Sequence, residues 1–506
     1  MWPFGYTRKI SFFFTSARKQ LVLLSLFSSM AFMSIAQSFQ GYHSSTYTGV
    51  YGILTNPTDI LNHRFRGDIN LTGLSIQANN NLVSIKINNK EDNFIRPNPV
   101  AKPAKFNFNT DIFGPSIMMR LSDKHAFAIS TRVRVMATVK GIGKDLLNLT
   151  IQDSVAQSLV NADISVNDFS INAHAWTELA LTYSRQVGIS DYGVWKAGIS
   201  LKYLNGQSAF SLASSGLAFK YTDSLAGLPV ARAAITDLRG RINMRYTQNV
   251  DSLDGNINNN FLFKNPGLGL DIGLNYEYRD EMQVYETAYS DEIRNYVWKA
   301  GVSITDIGFI RYSKQQTGGF AVSFKGNTFL TDTLKPPSDS THIGQMNNYY
   351  RNLFGTRTDV SAITMQLPTA LHLTYDRFFN KWLGIQAQLN VPLVFSAANY
   401  YQGTYNPFSL IITPRAEISW CGIYLPIAYN SFSGLQVGAA IRLGPLVIGS
   451  GSIINTKFLN NSKAGDAYFI LRIPFFGYRE FKEKIRKERS HLSKDEKKAL
   501  DCPAAN

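Results

Sequence analysis

The sequence predicts an all-β protein, a transmembrane antiparallel β-barrel of about fourteen strands, with twelve to sixteen allowed. Apolar and polar residues alternate with a period of two over many stretches of ten or more residues. Such stretches suit membrane-spanning strands, which need roughly nine to eleven residues, better than soluble strands, which average roughly five or six. A sheet that faces lipid cannot leave edge strands unpaired, so we expect the strands to close into a barrel.

The first 36 residues resemble a secretory signal peptide. They carry four cations and no acid, then an apolar run over 21–35, and they end in small residues before Gln37. The alternative is a membrane anchor, but the apolar run is shorter than the roughly 20 residues of a spanning helix. Removing the four cations would lower the formal charge from +15 to +11 and leave a moderately basic exported chain.

Residues 37–66 are too irregular to span a membrane and contain Asn56-Pro57, a turn-forming pair. We expect this segment to lie in the lumen as a plug, with Asn56 and Pro57 forming its turn. The barrel itself is expected over 67–476.

Eighteen segments with the two-residue period can be distinguished in the barrel region, and merging kinked neighbours gives about fourteen strands. Residues 125–140 are typical, with one apolar parity and one parity of small or charged residues. Short turns should face the periplasm and long connections, such as 141–173 and 327–360, should face outside. A short helix is expected within 143–162.

The heptad VWKAGIS at 194–200 is repeated as VWKAGVS at 297–303. In each copy the Trp begins the apolar parity, while Lys, Gly and Ser share the other parity. Indole rings favour the headgroup level of a membrane, so we expect Trp195 and Trp298 at the membrane interface. The alternative is a soluble sandwich with both Trp residues in its core.

Charged residues on the polar parity should point into the lumen, because a charge that faces lipid at the midplane costs about 2–4 kcal/mol. Both signs are present, which favours ion pairs that fill the lumen over an anion-attracting channel. The candidate lumen charges are Arg132, Arg134, Glu277, Arg279, Arg415, Glu417 and Arg442, together with Lys196 and Arg472.

The tail, residues 477–506, is charged and favours a short periplasmic helix. A solvated helix is one interpretation. The other is a docking peptide, from Tyr478 to Asn506, for an envelope protein partner or a membrane surface.

Four segments resemble an uncharacterised family of Bacteroidota outer-membrane barrels: YTGVYGILTNP at 47–57, WTELALTYSRQ at 176–186, GLGLDIGLNYEYR at 267–279 and IRLGPLVIGSGSII at 441–454. That family is similar to the long-chain fatty-acid transporter barrels and to type IX secretion-associated barrels. The resemblance implies an outer-membrane barrel with an N-terminal hatch. In the transporters the hatch carries Asn-Pro-Ala, whereas Thr58 follows Asn56-Pro57 here.

Motifs for catalysis are missing from the sequence. The seven histidines are scattered without metal-ligand spacing, and no His-Glu-x-x-His, Gly-x-Ser-x-Gly or phosphate-binding glycine loop occurs. We therefore expect no enzymatic activity, no metal and no cofactor. Two cysteines in an exported chain of this length indicate no structural disulfide. An exported barrel does not meet nucleic acid, so its basic charge does not indicate a nucleic-acid partner. We expect it to be surrounded by outer-membrane lipid.

Three functions remain open at this stage. The resemblance and the charged tail favour a non-enzymatic subunit of an envelope secretion or outer-membrane protein assembly complex. The alternatives are a transporter for hydrophobic small molecules such as fatty acids, and a passive porin.

Overall fold

The structure is a computed structural model. The predicted signal peptide and the C-terminal tail lie outside the residues that it describes, as does most of the helix expected within 143–162. The described residues are 38–62, 66–85, 95–97, 103–122, 124–143, 146, 160–190, 192–223, 232–248, 265–279, 296–314, 317–337, 342–356, 362–380, 382–393, 402–459 and 462–475.

The described residues are dominated by strands, with few helical turns. The strands are β1 (Gly67–Asn80), β2 (Val83–Ile85), β3 (Ile95–Pro97), β4 (Ala104–Phe113), β5 (Ser116–Ser122), β6 (His125–Ile142), β7 (Asp163–Ser165), β8 (Ser170–Ile189), β9 (Gly193–Thr222), β10 (Ala234–Thr247), β11 (Pro266–Tyr278), β12 (Trp298–Tyr312), β13 (Thr317–Leu330), β14 (Ile363–Gln366), β15 (Ala370–Phe378), β16 (Leu383–Pro392), β17 (Ser409–Glu417), β18 (Cys421–Tyr424), β19 (Ile427–Asn430), β20 (Gly434–Val437), β21 (Ala439–Leu443), β22 (Leu446–Ser450) and β23 (Ala464–Phe475). The helices are three 3-10 turns (Tyr42–Ser44, Gly49–Leu54 and Pro57–Leu61), α1 (Ile343–Phe354) and a π-helical turn (Asn455–Leu459). None of these helices is long and apolar enough to cross a bilayer.

All strands except the β2–β3 hairpin belong to one antiparallel sheet. The sheet closes because β1 pairs with β23, with Gly67 opposite Phe475 and Asn79 opposite Ala464. In several places two consecutive strands lie in line and together form one strand of the barrel wall. Strands β4 and β5 form one such pair, and β10 and β11 form another. Counted in this way the barrel has 14 strands, which confirms the number predicted from the sequence.

The two faces of the wall differ in the way that a bilayer requires. On β9 the outward-facing Leu201 is 60% exposed, while its neighbours Ser200 and Lys202 are buried in the lumen. The same alternation places Leu268 of β11 on the outside, 77% exposed. An apolar outer band around a polar interior is the arrangement of a transmembrane barrel.

A band of aromatic rings lies on the outer face at the end of the wall with the short turns, which is the periplasmic end. Trp195 is 43% exposed, and its ring centroid is 4.7 Å from that of Tyr276. Trp298 lies between Tyr278 and Tyr375, with centroids 5.6 and 6.0 Å away. Both copies of the repeated heptad therefore start at the same level of the wall, with the Trp outside.

Strand β9 differs from the sequence-based expectation, which divided it into two strands near 194–206 and 209–221. It is one strand of 30 residues. Its lower half, Gly193 to Asn205, pairs with β11, and its upper half, Phe210 to Thr222, pairs with β10. The strand therefore stays hydrogen-bonded beyond the part that spans the membrane. The upper half extends the wall beyond the membrane on this side.

The connection expected over 327–360 contains α1, which the sequence analysis did not identify. This helix packs its aromatic side against β13: the ring of Phe354 lies 5.9 Å from that of Phe320 and 5.2 Å from that of Phe324. Gly355, which ends the helix, has φ of 60°, a left-handed conformation that favours glycine. The helix packs against two apolar clusters of the upper strands, outside the spanning region.

The outer face can be tested with Leu201→Arg. We expect a loss of about 2–4 kcal/mol in the free energy of unfolding, because the guanidinium would face hydrocarbon near the midplane. Tyr192→Arg, in the periplasmic turn, is the matched control and should cost about 1 kcal/mol or less. Urea titrations in lipid vesicles measure both. Equal costs at the two positions would contradict the membrane placement.

Candidate functional site: a plugged lumen

Residues 38–62, called the plug below, lie inside the barrel. The apolar plug residues Phe39, Tyr42, Val50 and Tyr51 are each 0% exposed, and most polar plug residues are buried as well. The plug contains the three short 3-10 turns and crosses the lumen from β23 to β12. The lumen at this level is therefore filled by the protein's own chain.

The predicted turn residues, Asn56 and Pro57, begin the third 3-10 turn of the plug. The Asn56 Oδ1 accepts hydrogen bonds from the Thr58 main-chain N–H (3.0 Å) and the Thr58 hydroxyl (2.7 Å), and Pro57 occupies the first helical position. Proline suits that position because its missing N–H would have no partner there. Thr58 thus contributes a hydroxyl that the alanine of the fatty-acid transporter hatch lacks.

The repeated heptads form the surface on which this part of the plug rests. Lys196 Nζ donates to Asn62 Oδ1 (2.6 Å), and Lys299 Nζ pairs with Asp59 Oδ1 (2.9 Å). The hydroxyl of Ser303 donates to the carbonyl oxygen of Thr55 (2.5 Å). We call the lumen-facing group that holds the plug the socket; it comprises Lys196, Gly198, Gly273, Asn275, Lys299 and Ser303.

Two glycines of the socket allow the plug backbone to come close. A Cβ at Gly198 would lie 2.7 Å from the carbonyl carbon of Pro57, and one at Gly273 would overlap the Asn56 side chain. Asn275 Nδ2 completes the contact by donating to Asp59 Oδ1 (2.9 Å). Both copies of the heptad therefore face lipid with Trp and hold the plug with the residues of the opposite parity.

The first half of the plug binds the opposite side of the lumen. The Val50 main-chain N–H donates to Asp68 Oδ2 (3.0 Å), and Asp68 pairs with Arg472 (3.2 Å). Glu417 accepts hydrogen bonds from the hydroxyls of Ser45 (2.7 Å) and Thr46 (2.8 Å). Carboxylates of the wall thus fix both the main chain and the side chains of the plug.

Around the plug, charges of opposite sign are paired across the lumen. Arg415 bonds to Asp376 (2.9 Å) and Glu417 (3.2 Å), with all three side chains almost fully buried. Glu277 pairs with Lys196 (2.5 Å) and with Arg279 (2.8 Å). Buried charges are tolerated only when they are paired in this manner.

A second network lies above the plug. Arg132 pairs with Asp111, and Arg134 pairs with Asp306 (2.7 Å) and Glu178 (3.2 Å). The Arg134 guanidinium also stacks on the ring of the buried Trp176, 4.8 Å from its centroid. The structure therefore places eight of the nine candidate lumen charges in ion pairs.

Arg442 is the exception to the expected pairing. It is buried in the lumen, but it donates to the main-chain carbonyl oxygens of Ile418 (2.5 Å), Ser419 (2.9 Å) and Cys421 (3.1 Å). Its guanidinium lies 4.3 Å from the centroid of the Tyr47 ring. The carbonyls at the turn between β17 and β18 need donors, and Arg442 supplies them instead of pairing with a carboxylate.

Most of the other groups that pair with the candidate lumen charges or with one another were not predicted from the sequence. Several of them point into the lumen from wall strands, so the parity of their positions could have identified them: Asp111, Glu178, Lys202, Asp271 and Lys299. Asp59 lies in the plug, where no period exists, so nothing in the sequence signalled its role. Within the described ranges, no group of three or more His, Cys, Asp or Glu side chains is arranged to hold a metal ion.

The apolar outer band, the polar interior and the internal plug together define the class of this protein. It is an outer-membrane β-barrel whose lumen is occupied by its own N-terminal segment.

The chain belongs to the family of unknown function DUF5723, whose family model matches residues 57–451. The match agrees with the expected membership of a barrel family without an assigned function. The Bacteroidota source and the type IX secretion link stay predictions. No curated protein matches the sequence.

Among solved structures, the chain is similar to the Ralstonia pickettii toluene transporter TbuX, with 13% identity and a TM-score of 0.38, covering 85% of this chain and 94% of that one. A Pseudomonas aeruginosa FadL homologue has 11% identity and a TM-score of 0.36, with 87% and 98% covered. The Pseudomonas putida toluene transporter TodX has 10% identity and a TM-score of 0.34, with 88% and 100% covered. With so few shared residues, the function has to be inferred from this chain's own side chains.

The close contact at the socket can be tested with Gly198→Ala. The added methyl group would meet the plug backbone, so we expect the plug to be displaced and the ion conductance of the barrel in planar bilayers to rise. Gly188→Ala is the control, because a Cβ there would meet only Trp195 atoms, at 3.7 Å. Unchanged conductance in Gly198→Ala would contradict the docking.

The Lys299–Asp59 pair can be tested with a double-mutant cycle. Lys299→Met alone should lower the free energy of unfolding by about 3–5 kcal/mol, because it leaves a carboxylate that is only 14% exposed without its cation. Adding Asp59→Asn should restore most of that loss. Arg239→Met, which breaks an exposed pair with Asp237 outside the lumen, should cost about 1 kcal/mol or less. Additive losses in the cycle would show that the two side chains are not coupled.

Proposed function

We propose that the protein is a gated outer-membrane channel for hydrophobic small molecules, with the plug as its gate. The observation that carries the proposal is an apolar lining inside the lumen, located directly behind an interruption of the wall. A water-filled channel has a polar lining instead.

The apolar lining belongs to the wall and covers one side of the plug. Met118, Ala126 and Ala128 point inward from β5 and β6, and all are buried. They form one cluster with plug residues such as Phe39 and Val50. Displacement of the plug would therefore expose an apolar passage on this side of the lumen, which suits an apolar solute.

The interruption lies between β4 and β5, at Gly114-Pro115. Proline has no main-chain N–H to donate to a neighbouring strand, so the regular ladder stops there. The carbonyl oxygens of Phe113 and Gly114 instead accept hydrogen bonds from Asn70 Nδ2, at 3.0 and 2.7 Å. On the β6 side the Gly114 main-chain N–H still donates to the carbonyl oxygen of Thr131 (2.9 Å), so it is on the β1 side that a side chain replaces the strand ladder.

A plug residue lies behind the seal. The hydroxyl of Tyr51 donates to Asn70 Oδ1 (2.8 Å), and its ring lies 4.6 Å from the ring of Phe113. If the plug moved, Asn70 would lose this hydrogen bond and the apolar lining would reach the break in the wall. A hydrophobic molecule could then pass between lumen and bilayer without crossing the charged part of the lumen.

The other two functions receive less support from the described residues. A passive porin needs an open lumen, whereas the plug fills this one. The role in an envelope assembly was inferred from the family resemblance and from the tail from Tyr478 to Asn506, which lies outside the described residues, and it stays a prediction.

The proposal can be tested with the uptake of the apolar dye 1-N-phenylnaphthylamine into vesicles that contain the protein. Met118→Asp should reduce uptake about tenfold, because a carboxylate in the lining obstructs an apolar solute. A tenfold reduction corresponds to about 1.4 kcal/mol of free energy. Gln436→Asp, a buried lumen residue outside the apolar cluster, is the control.

Heat-modified migration in gels shows whether each variant has folded. Uptake by the wild type no faster than by empty vesicles would overturn the proposed function. Equal uptake by Met118→Asp and the wild type would overturn the route.

A further inference from the structure

A polar cavity, called the chamber below, lies in the lumen above the plug. Its volume is about 70 Å³, and plug residues Ser38 and His43 form its floor. The side walls come from β4, β6, β12, β15 and β16, and Asn406 lines it from the connection between β16 and β17. Neither the hydrophobic channel, the porin nor the assembly subunit requires this space.

The segment 402–406 covers the chamber from the outside. Its carbonyl oxygen at Gln402 accepts a hydrogen bond from the main-chain N–H of Gln366 (3.0 Å). Across the lumen, the carbonyl oxygen of Tyr405 accepts from Asn107 Nδ2 (3.0 Å). The segment is therefore attached to both sides of the barrel, and the chamber is bounded by it and by the plug.

The charges that face the chamber are already paired with one another. Arg132 is engaged by Asp111, and Arg134 by Glu178 and Asp306. Asp306 also pairs with Lys202 (2.6 Å). A phosphate or carboxylate would find no unengaged guanidinium fork, and an amine would find no unengaged carboxylate, so charged ligands fit poorly.

The histidine in the floor is neutral. His43 Nε2 donates to the carbonyl oxygen of Ser38 (2.8 Å), which leaves Nδ1 as an acceptor. Burial lowers the pKa of His43 to about 4, so the ring carries no charge near neutral pH. The floor thus offers a hydrogen-bond acceptor and no charge.

Four residues that line the chamber each carry one buried polar atom without a hydrogen-bond partner among the described residues. They are His43 Nδ1, Asn109 Oδ1, Arg134 Nε and Asn406 Oδ1. Leaving a buried polar atom unsatisfied costs roughly 1–3 kcal/mol. Three of these atoms accept and one donates, and hydroxyl groups can do both.

We propose that the chamber is a binding site for a small uncharged polyol that bridges the plug to the wall and to segment 402–406. A water needs roughly 10–15 Å³ by the same measure, so the space suits roughly five water-sized groups, about the size of a three- or four-carbon polyol. The proposal does not depend on the hydrophobic channel, because the chamber and the apolar lining are lined by different residues.

Saturation-transfer difference NMR with erythritol and the detergent-solubilised full chain tests the site. We expect saturation transfer to the wild type and at least a tenfold loss in Ala370→Leu, because Ala370 lines the chamber and a larger side chain fills it. Ala428→Leu, which adds the same atoms at a buried position of β19, is the control and should keep the signal. Asn406→Ala changes segment 402–406 instead of the barrel wall. It removes one of the unpaired acceptors and should also weaken the signal.

Each remaining outcome contradicts the site. No transfer to erythritol in the folded wild type would mean that the chamber holds water only. Equal signals from the wild type, Ala370→Leu and Asn406→Ala would place the polyol elsewhere. Displacement of erythritol by millimolar inorganic phosphate would show an anion site instead.

Discussion

The docking of the plug on the socket is the contact on which the rest of the lumen depends. Lys196 and Lys299 are lumen cations that would be costly to bury without partners, and the plug supplies Asn62 and Asp59 to them. Conversely, a segment as short as the plug does not usually fold alone, and its apolar side chains pack against those of the wall. Barrel and plug thus stabilise each other, and a substitution in one should change the stability of the other.

The repeated heptad explains how one short sequence serves both the membrane and the lumen. Successive side chains of a strand point to opposite faces, so Trp and Lys, adjacent in sequence, reach different environments. The register then places Gly198 opposite Gly273, and the plug backbone can approach both strands at once. This is why the chain uses nearly the same seven residues at the start of β9 and again at the start of β12.

The sequence predicted the barrel and its number of strands well, because the bilayer imposes the same two-residue period on every spanning strand. Where that constraint ends, the predictions became weaker. The upper half of β9 and helix α1 lie beyond the spanning region, where packing among distant aromatic side chains decides the structure. The interruption at Gly114-Pro115 was not predicted from the sequence, and its repair by Asn70 depends on a contact between residues 44 positions apart.

The sequence predicted which charged side chains point into the lumen, but not which groups they pair with. Parity indicated that Arg134 and Arg415 face the lumen, yet their carboxylate partners come from strands that only the closed barrel brings together. Arg442 shows the limit most clearly, since most of its partners are main-chain carbonyls, which carry no signal in the sequence. The proposed channel function follows from a similar feature, an apolar lining that becomes visible only when strands β5 and β6 are placed around the plug.

The most direct test of the account is hydrogen–deuterium exchange of the plug amides in protein reconstituted into lipid bilayers. The account predicts that the amides of Val50, Thr58 and Asp59, which donate to partners within the plug and the wall, exchange slowly, together with those of the spanning strands. Exchange of these amides at the rate of an unstructured peptide, beside a fully protected wall, would show that the segment is not docked in the lumen and would contradict the account.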